Sequence, residues 1–424
     1  MSARESDREP AFSDFDRWAM QRALELAARG LETTDPNPRV GCVITRGDEV
    51  IGEGWHERAG EAHAEIAALT AAAGQAAGAS AYVTLEPCSH HGRTPPCVEA
   101  LIAAQVARVV YAAIDPNPQV SGRGAEALAA AGVAVEGGLL EQEALELNCG
   151  FVKRMRYGRP WVRLKLAMTL DGRTALARGE SRWITGEAAR ADVQYWRARS
   201  SAILTGVGTV LADDPRLDVR LQAEGEAAGE PGGEAGGEAG GEPGAEAGGE
   251  PGGEAGGEPG GEPEEGPRQP LRVVLDTHLR TPPHARLLAG GGEVLILTAQ
   301  SSFKDVQHGM RLTQKGARLE SVPEAGERLS LEAVLGRLAE LEVNELQVEA
   351  GPTLAGELVR QGLVDELLLY VSPRVLGNRA RPLLAMPEPA TLEEALGFSL
   401  IETRALGEDL RLWLRPRTSA PSPD

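Results

Sequence analysis

From Gln222 to Gly266 the chain runs through 45 residues of units such as Gly-Gly-Glu-Ala and Gly-Gly-Glu-Pro, with no Val, Ile, Leu or aromatic side chain. Such a segment cannot bury enough apolar surface to offset the entropy of ordering it. Its four-residue unit has no face to stack, so it is not a solenoid repeat. A disordered acidic loop without a catalytic role is the expectation. The tract holds 13 Glu and no Lys, Arg or Asp, which accounts for most of the net charge of −20. A strand pattern resumes at Leu271–Asp276. The tract therefore interrupts a folded domain and does not separate two.

The rest of the 424 residues reads as two α/β blocks, 12–157 and 158–416. In the first, Phe15, Trp18, Ala19, Ala23, Leu26 and Ala27 suggest one helical face. Val40–Thr45 and Val50–Glu53 suggest a hairpin around Gly47-Asp48. Helices at Ala64–Ala73, Val98–Ala104 and Ala125–Ala131 alternate with strands at Ala81–Leu85, Arg108–Ile114 and Val133–Glu136. In the second block, strands are expected at Val162–Lys165, Ser201–Thr205, Arg272–Leu275, Val294–Thr298, Leu346–Val348 and Leu367–Val371. Helices are expected at Gly186–Ala198, Leu331–Leu341 and Thr353–Gln361. No apolar run reaches the ~18 residues of a membrane span, and the start lacks a signal-peptide core. Four cysteines do not make a disulfide framework in a chain this long. A cytoplasmic protein is expected, and the sequence is compatible with a homo-oligomer. Residues 1–157 carry 14 Lys and Arg against 22 Asp and Glu, and aromatics make up 4% of the chain. Both oppose a nucleic-acid partner.

His63-Ala64-Glu65 is followed by Pro87-Cys88 and by Cys97. One His and two Cys suit a tetrahedral zinc with one position left for water. Glu65 is placed to move protons: zinc acidifies its water, and a carboxylate can take that proton and hand it to a leaving amine. This is the logic of zinc-dependent base deaminases, whose cysteines usually stand two residues apart. Here eight residues, Ser89–Pro96, separate them, and His90 and His91 within that loop could compete as ligands. Cys42 and Cys149 read as buried thiols.

The stretches Asp35-Pro-Asn-Pro-Arg-Val-Gly-Cys42, Gly60-Glu-Ala-His-Ala-Glu65 and Thr84-Leu-Glu-Pro-Cys-Ser-His-His-Gly-Arg-Thr-Pro-Pro-Cys97 resemble the bifunctional riboflavin-biosynthesis deaminase–reductases, whose cysteine spacing matches. The resemblance implies a cytidine-deaminase-like α/β/α domain with one zinc on His63, Cys88 and Cys97 and with Glu65 as proton carrier. It implies that Asn37 and His56 line the pyrimidine pocket. Read alone, Asn37 could equally be a turn residue between two prolines, and His56 a structural one.

In the second block, Thr205-Gly-Val-Gly-Thr-Val-Leu211 lacks the third glycine of the dinucleotide fingerprint. Val348-Glu-Ala-Gly-Pro-Thr-Leu-Ala-Gly356 reads as a strand turning into a helix whose first N–H groups could hold a phosphate. An ordinary strand–helix turn fits it as well. Lys165–Gly172, Ser181–Thr185 and Val210–Pro215 resemble the reductase half of the same family, which is dihydrofolate-reductase-like and uses NADPH. The resemblance implies cofactor contacts at Ala167, Trp183, Thr209, Asp213 and Gly351, Pro352, Thr353, Leu354, Ala355, Gly356 and Glu357. It implies substrate contacts at Ser181, Arg197, Leu217, Arg220 and Glu349. Arginine suits a sugar phosphate through paired hydrogen bonds, though Arg197 could also lie on a solvated face and Trp183 in a core. Lys165 could polarise the reacting ribose or be a surface residue. The implied function is two steps on a small phosphoribosyl pyrimidine. The competing readings are a nucleic-acid-editing deaminase with an appended binding domain, and a non-enzymatic zinc protein with a nucleotide sensor.

Overall fold

The computed structural model describes residues 12–89, 95–118, 120–220 and 268–417. The expectations for the tract at 222–266 and for His90 and His91 lie outside the described residues. Among the described residues no helix is long and apolar enough to cross a membrane.

The first unit is a five-stranded sheet with helices on both faces. Its strands are β1 (Gly41–Arg46), β2 (Glu49–Trp55), β3 (Ser80–Leu85), β4 (Arg108–Ala113) and β5 (Ala134–Gly137), in the order β2-β1-β3-β4-β5. β1 and β2 form the expected hairpin, and β3, β4 and β5 run parallel. Successive side chains alternate between faces. Cys42 and Ile44 turn to α2 (Ala64–Ala71), α3 (Cys97–Ala103) and α4 (Arg123–Ala130), whereas Val43 turns to α1 (Asp14–Ala28) and α5 (Glu141–Leu147). A capping box starts α1: Ser13 Oγ accepts from the Asp16 N–H, and Asp16 accepts from the Ser13 N–H. The buried face of α1 is Ala19, Met20, Ala23, Leu26 and Ala27, while Trp18 is 48% exposed. The expected stripe is thus rotated by part of a turn. Small residues win the inward positions because the backbone comes close: a Cβ on Gly41 would lie 2.0 Å from the Ala23 carbonyl oxygen.

Helix α6 (Cys149–Tyr157) leads into the second unit. Its nine-stranded sheet has the order β11-β10-β9-β8-β14-β6-β15-β18-β17. These strands are β6 (Trp161–Thr169), β8 (Ala202–Gly206), β9 (Leu271–Leu275), β10 (Val294–Thr298), β11 (Ala317–Ser321), β14 (Glu345–Val348), β15 (Glu366–Ser372), β17 (Phe398–Leu406) and β18 (Asp409–Pro416). The first seven in that spatial order run parallel, and β18 and β17 close the edge antiparallel. Two short pairs, β7 (Arg173–Ala175) with β16 (Arg381–Pro382) and β12 (Glu324–Ala325) with β13 (Arg328–Leu329), rim a cleft. The remaining helices are α7 (Glu187–Ala198), α8 (Val207–Asp213), α9 (Val306–Gln314), α10 (Leu331–Glu340) and α11 (Pro352–Arg360). Leu164, Leu204, Leu346 and Val348 pack against α10 and α11 in the main core. Such side chains stabilise by ~1.5–3 kcal/mol each when fully buried. The core also holds charge: Arg163 bridges Glu345 and Glu366, with all three side chains 1% exposed or less.

Candidate active sites

In the first unit His63 caps α2, Cys88 follows β3, and Cys97 opens α3 after Pro96. One ligand atom from each lies within 4.8 Å of the others. His63 Nδ1 is 3.3 Å from Cys97 Sγ and 3.6 Å from Cys88 Sγ. Zinc–sulfur bonds of ~2.3 Å and zinc–nitrogen bonds of ~2.0 Å at a tetrahedral angle put S and N about 3.5 Å apart, so this donor set fits zinc. Hydrogen bonding from Cys97, with further help from His63, lowers the Cys88 thiol well below its ordinary value despite burial. A thiolate is the form that binds metal. Glu65 is buried one residue into α2, and its Oε2 has no partner among the described residues. Burial, then the Cys88 sulfur, pushes its carboxyl up to about 7. Cys42 and Cys149 are free, buried thiols raised by burial, as expected.

Asn37 and His56 meet beside this centre. His56 Nδ1 lies 3.0 Å from the Ala62 carbonyl and so carries the proton. Its Nε2 accepts from Asn37 Nδ2 at 3.1 Å. Burial lowers the His56 pKa, which keeps the ring neutral in that role. The His56 and His63 rings stand edge to face with centroids 5.4 Å apart.

Sequence reasoning passed over Glu86. Its carboxylate accepts from the backbone N–H groups of Asp115, Gly122, Gly124 and Ala125 at 2.9–3.3 Å. It thereby fastens the start of α4 behind Cys88. A Cβ on Gly124 would lie 2.0 Å from the Pro87 carbonyl oxygen, so only glycine fits there. Nothing in Glu-Pro-Cys signals partners so far along the chain.

The second unit opens into a cleft of about 2350 Å³. Lys165 and Ala167 reach it from β6, and Ser181 and Trp183 from the loop before α7. Thr209 and Asp213 reach it from α8, and Leu217 and Arg220 from the segment beyond. Gly351–Leu354 and Glu357 line it at the start of α11. Ala355 and Gly356 are not on its wall. Ala355 is fully buried and donates its N–H to the Gly351 carbonyl, and a Cβ on Gly356 would strike the Ala385 backbone at 2.5 Å. Trp183 is 61% exposed, which excludes a core role. Leu217 holds a left-handed backbone, φ 53°, a costly conformation for leucine.

Arg197 is 8% exposed and lies on no solvated face. Its fork grips Glu349 at 2.7 and 2.8 Å, and Nη1 donates to the Asp218 carbonyl at 3.0 Å. Burial opposes ionisation of Glu349, but Arg197 and then Lys165 hold its carboxyl down at about 2. Lys165 is driven the other way: burial lowers its pKa, with Arg197 adding to the effect against Glu349.

Residues 160–412 match the family described as RibD C-terminal domain, and residues 13–113 match the cytidine and deoxycytidylate deaminase zinc-binding region. The riboflavin biosynthesis protein RibD of Escherichia coli is 46% identical over 94% of this chain and 99% of its own length. The solved structure of Acinetobacter baumannii RibD, 41% identical, aligns with a TM-score of 0.80 over 95% of this chain and 99% of that one. The diaminohydroxyphosphoribosylaminopyrimidine deaminase/5-amino-6-(5-phosphoribosylamino)uracil reductase of Thermotoga maritima, 29% identical, aligns with a TM-score of 0.75 over the same shares.

Proposed function

Because the chain belongs to the RibD family of riboflavin-biosynthesis enzymes, we propose that His63, Cys88 and Cys97 hold its zinc and that Glu65 moves the protons. The protein is a bifunctional deaminase and reductase. A cytidine-deaminase-like domain comes first and a dihydrofolate-reductase-like domain second. It removes an amino group from 2,5-diamino-6-(5-phosphoribosylamino)pyrimidin-4-one. It then reduces the ribose to give 5-amino-6-(5-phosphoribitylamino)uracil. Our reading assigns the first step to residues 12–157 and the second to 158–416. It sets both in the cytoplasm, on a free nucleotide and not on nucleic acid, in keeping with the acidic first block.

Zinc, when bound, supplies a water acidic enough to lose a proton near neutral pH. Glu65 takes that proton and passes it to the departing ammonia. Asn37 and His56 orient the pyrimidine beside it. NADPH, when bound, supplies the hydride. The start of α11 offers N–H groups to its phosphates, and Trp183, Thr209 and Asp213 flank it. Ser181, Arg197, Leu217, Arg220 and Glu349 contact the substrate, the arginines suiting its phosphate, and Lys165 polarises the ribose. The observation that carries the deaminase assignment is three convergent ligand atoms with an unpartnered Glu65 oxygen nearby.

One coupled assay tests the scheme: the diaminopyrimidine phosphate and NADPH should yield ammonia and NADP⁺ one for one. In Glu65→Gln, zinc content should stay at one per chain while ammonia release falls by roughly 10²–10⁴. Pre-deaminated substrate should still oxidise NADPH. Zinc lost from Glu65→Gln but kept in Cys88→Ser would reverse the assigned roles.

A further inference from the structure

The turn that carries Asn37 is built by the first unit, where Arg154 of α6 donates to the Pro36 carbonyl at 3.3 Å, and is held further by the second. Asp35 Oδ1 accepts from Ser201 Oγ and from Asn344 Nδ2, both at 2.9 Å. Its Oδ2 lies 3.4 Å from Arg268 Nη1. The Pro36 carbonyl accepts from Asn344 Nδ2 at 2.9 Å. On the far side of Asn37, the buried Arg39 forms an ion pair with Glu345 at 2.7 Å. Asn344 and Glu345 stand at the start of β14, and Ser201 stands just before β8. Both belong to the nine-stranded sheet.

Asn344 has nothing left over. Both of its amide hydrogens point at acceptors, and its Oδ1 accepts from Arg154 Nε at 2.7 Å, which fixes the amide orientation. Asn37 has little freedom of its own. Pro36 and Pro38 flank it, and its N–H donates to the Thr34 carbonyl at 2.9 Å. Where Asp35, Pro36 and Arg39 sit therefore decides where the Asn37 amide points.

We propose that Asn344, a residue of the reductase half, positions Asn37 for deamination, so that the deaminase pocket is complete only against β14. This rests on the reading of Asn37 as a pyrimidine contact. Asn344 is a positioning residue and touches no substrate. Glu345 shares the work, but it also neutralises Arg163 and Arg199 in the core, so its removal would report on folding.

The test is a double-mutant cycle in the full-length, zinc-loaded protein, reading deamination kinetics, zinc content and reduction of pre-deaminated substrate. Asn344→Ala should raise the deaminase KM roughly tenfold, the scale of coupling between neighbouring residues. The kcat, the zinc content and the reductase parameters should stay put. In an Asn37→Ala background the same change should add almost nothing. If Asn344→Ala fails to fold, Asp35→Ala removes the same contact from the other side and carries the same expectation. An unchanged KM, or an equal rise in both backgrounds, overturns the proposal while leaving Asn37 as a substrate contact. A wild-type KM in Asn37→Ala alone removes the reading beneath it, and the proposal with it.

Discussion

Arg197 changes meaning between sequence and structure. On a charged helix it could be a free ligand for a sugar phosphate or a solvated residue; in the fold it lines the cleft while its fork grips Glu349. Removing one partner of a buried ion pair leaves the other charge stranded and costs about 3–5 kcal/mol. Arg197→Ala should lose that much by urea denaturation, whereas the half-exposed Arg220→Ala should weaken reductase binding and leave stability nearly unchanged. The pair also sets an acid limit. Glu349 titrates at about 2 in the folded chain, below its unfolded value of roughly 4.3. Its contribution is present above the unfolded value and is lost as pH falls toward the folded one. Stability measured between pH ~4.3 and ~2 should fall less steeply in Arg197→Ala. An equally steep fall would assign the acid sensitivity elsewhere. The cluster of His63, Cys88 and Cys97 and its neighbour Glu65 were legible because zinc chemistry demands those side-chain types in a recognisable spacing. Glu86 and Asn344 were not, because their partners lie far along the chain.

Helices and strands were legible where one pattern governed them. The β1–β2 hairpin, α2 and α3 stand within a few residues of their expected bounds. The β17–β18 hairpin escaped notice because its alternation runs backwards. Arg411 points inward to Asp192 and Glu402, while Leu410 is 43% exposed. An apolar pattern cannot reveal a strand whose buried positions hold charge. Glycines separate the two kinds of helix contact. On β2, a Cβ at Gly54 would lie 2.5 Å from Ala68 N and 2.6 Å from the Ala64 carbonyl oxygen. Gly54→Ala should therefore push α2 outward, costing about 1–3 kcal/mol and weakening zinc retention. Gly336, inside α10, has nothing within 4 Å of the same atom. Gly336→Ala should gain about 0.5–1 kcal/mol. A raised midpoint in Gly54→Ala would show that close approach does not govern the β2 site, and a lowered one in Gly336→Ala that helix propensity does not govern the α10 site.

At the scale of the whole chain, two sheets and an interrupting tract could be read from composition and periodicity, but the seam between the sheets could not. The ends of the tract are tied: Gln269 accepts from the Val219 N–H at 2.9 Å and donates to its carbonyl at 3.0 Å. Loop-closure entropy changes by only ~0.6 kcal/mol per doubling of length. Replacing 222–266 with a short Gly/Ser linker should leave both activities and the denaturation midpoint unchanged. Loss of reduction alone would make the tract part of the cleft. The Arg39–Glu345 pair reaches further, to how the two halves could be parted. Glu345 keeps Arg163 and Arg199 on its own side, but among the described residues Arg39 finds its carboxylate only across the seam. A cut between the halves is an unequal inheritance: the first product keeps a cation without its carboxylate, and the second a carboxylate still paired with Arg163 and Arg199. Expressed alone, 1–157 should gain soluble yield from Arg39→Met, while 158–424 should need no such repair.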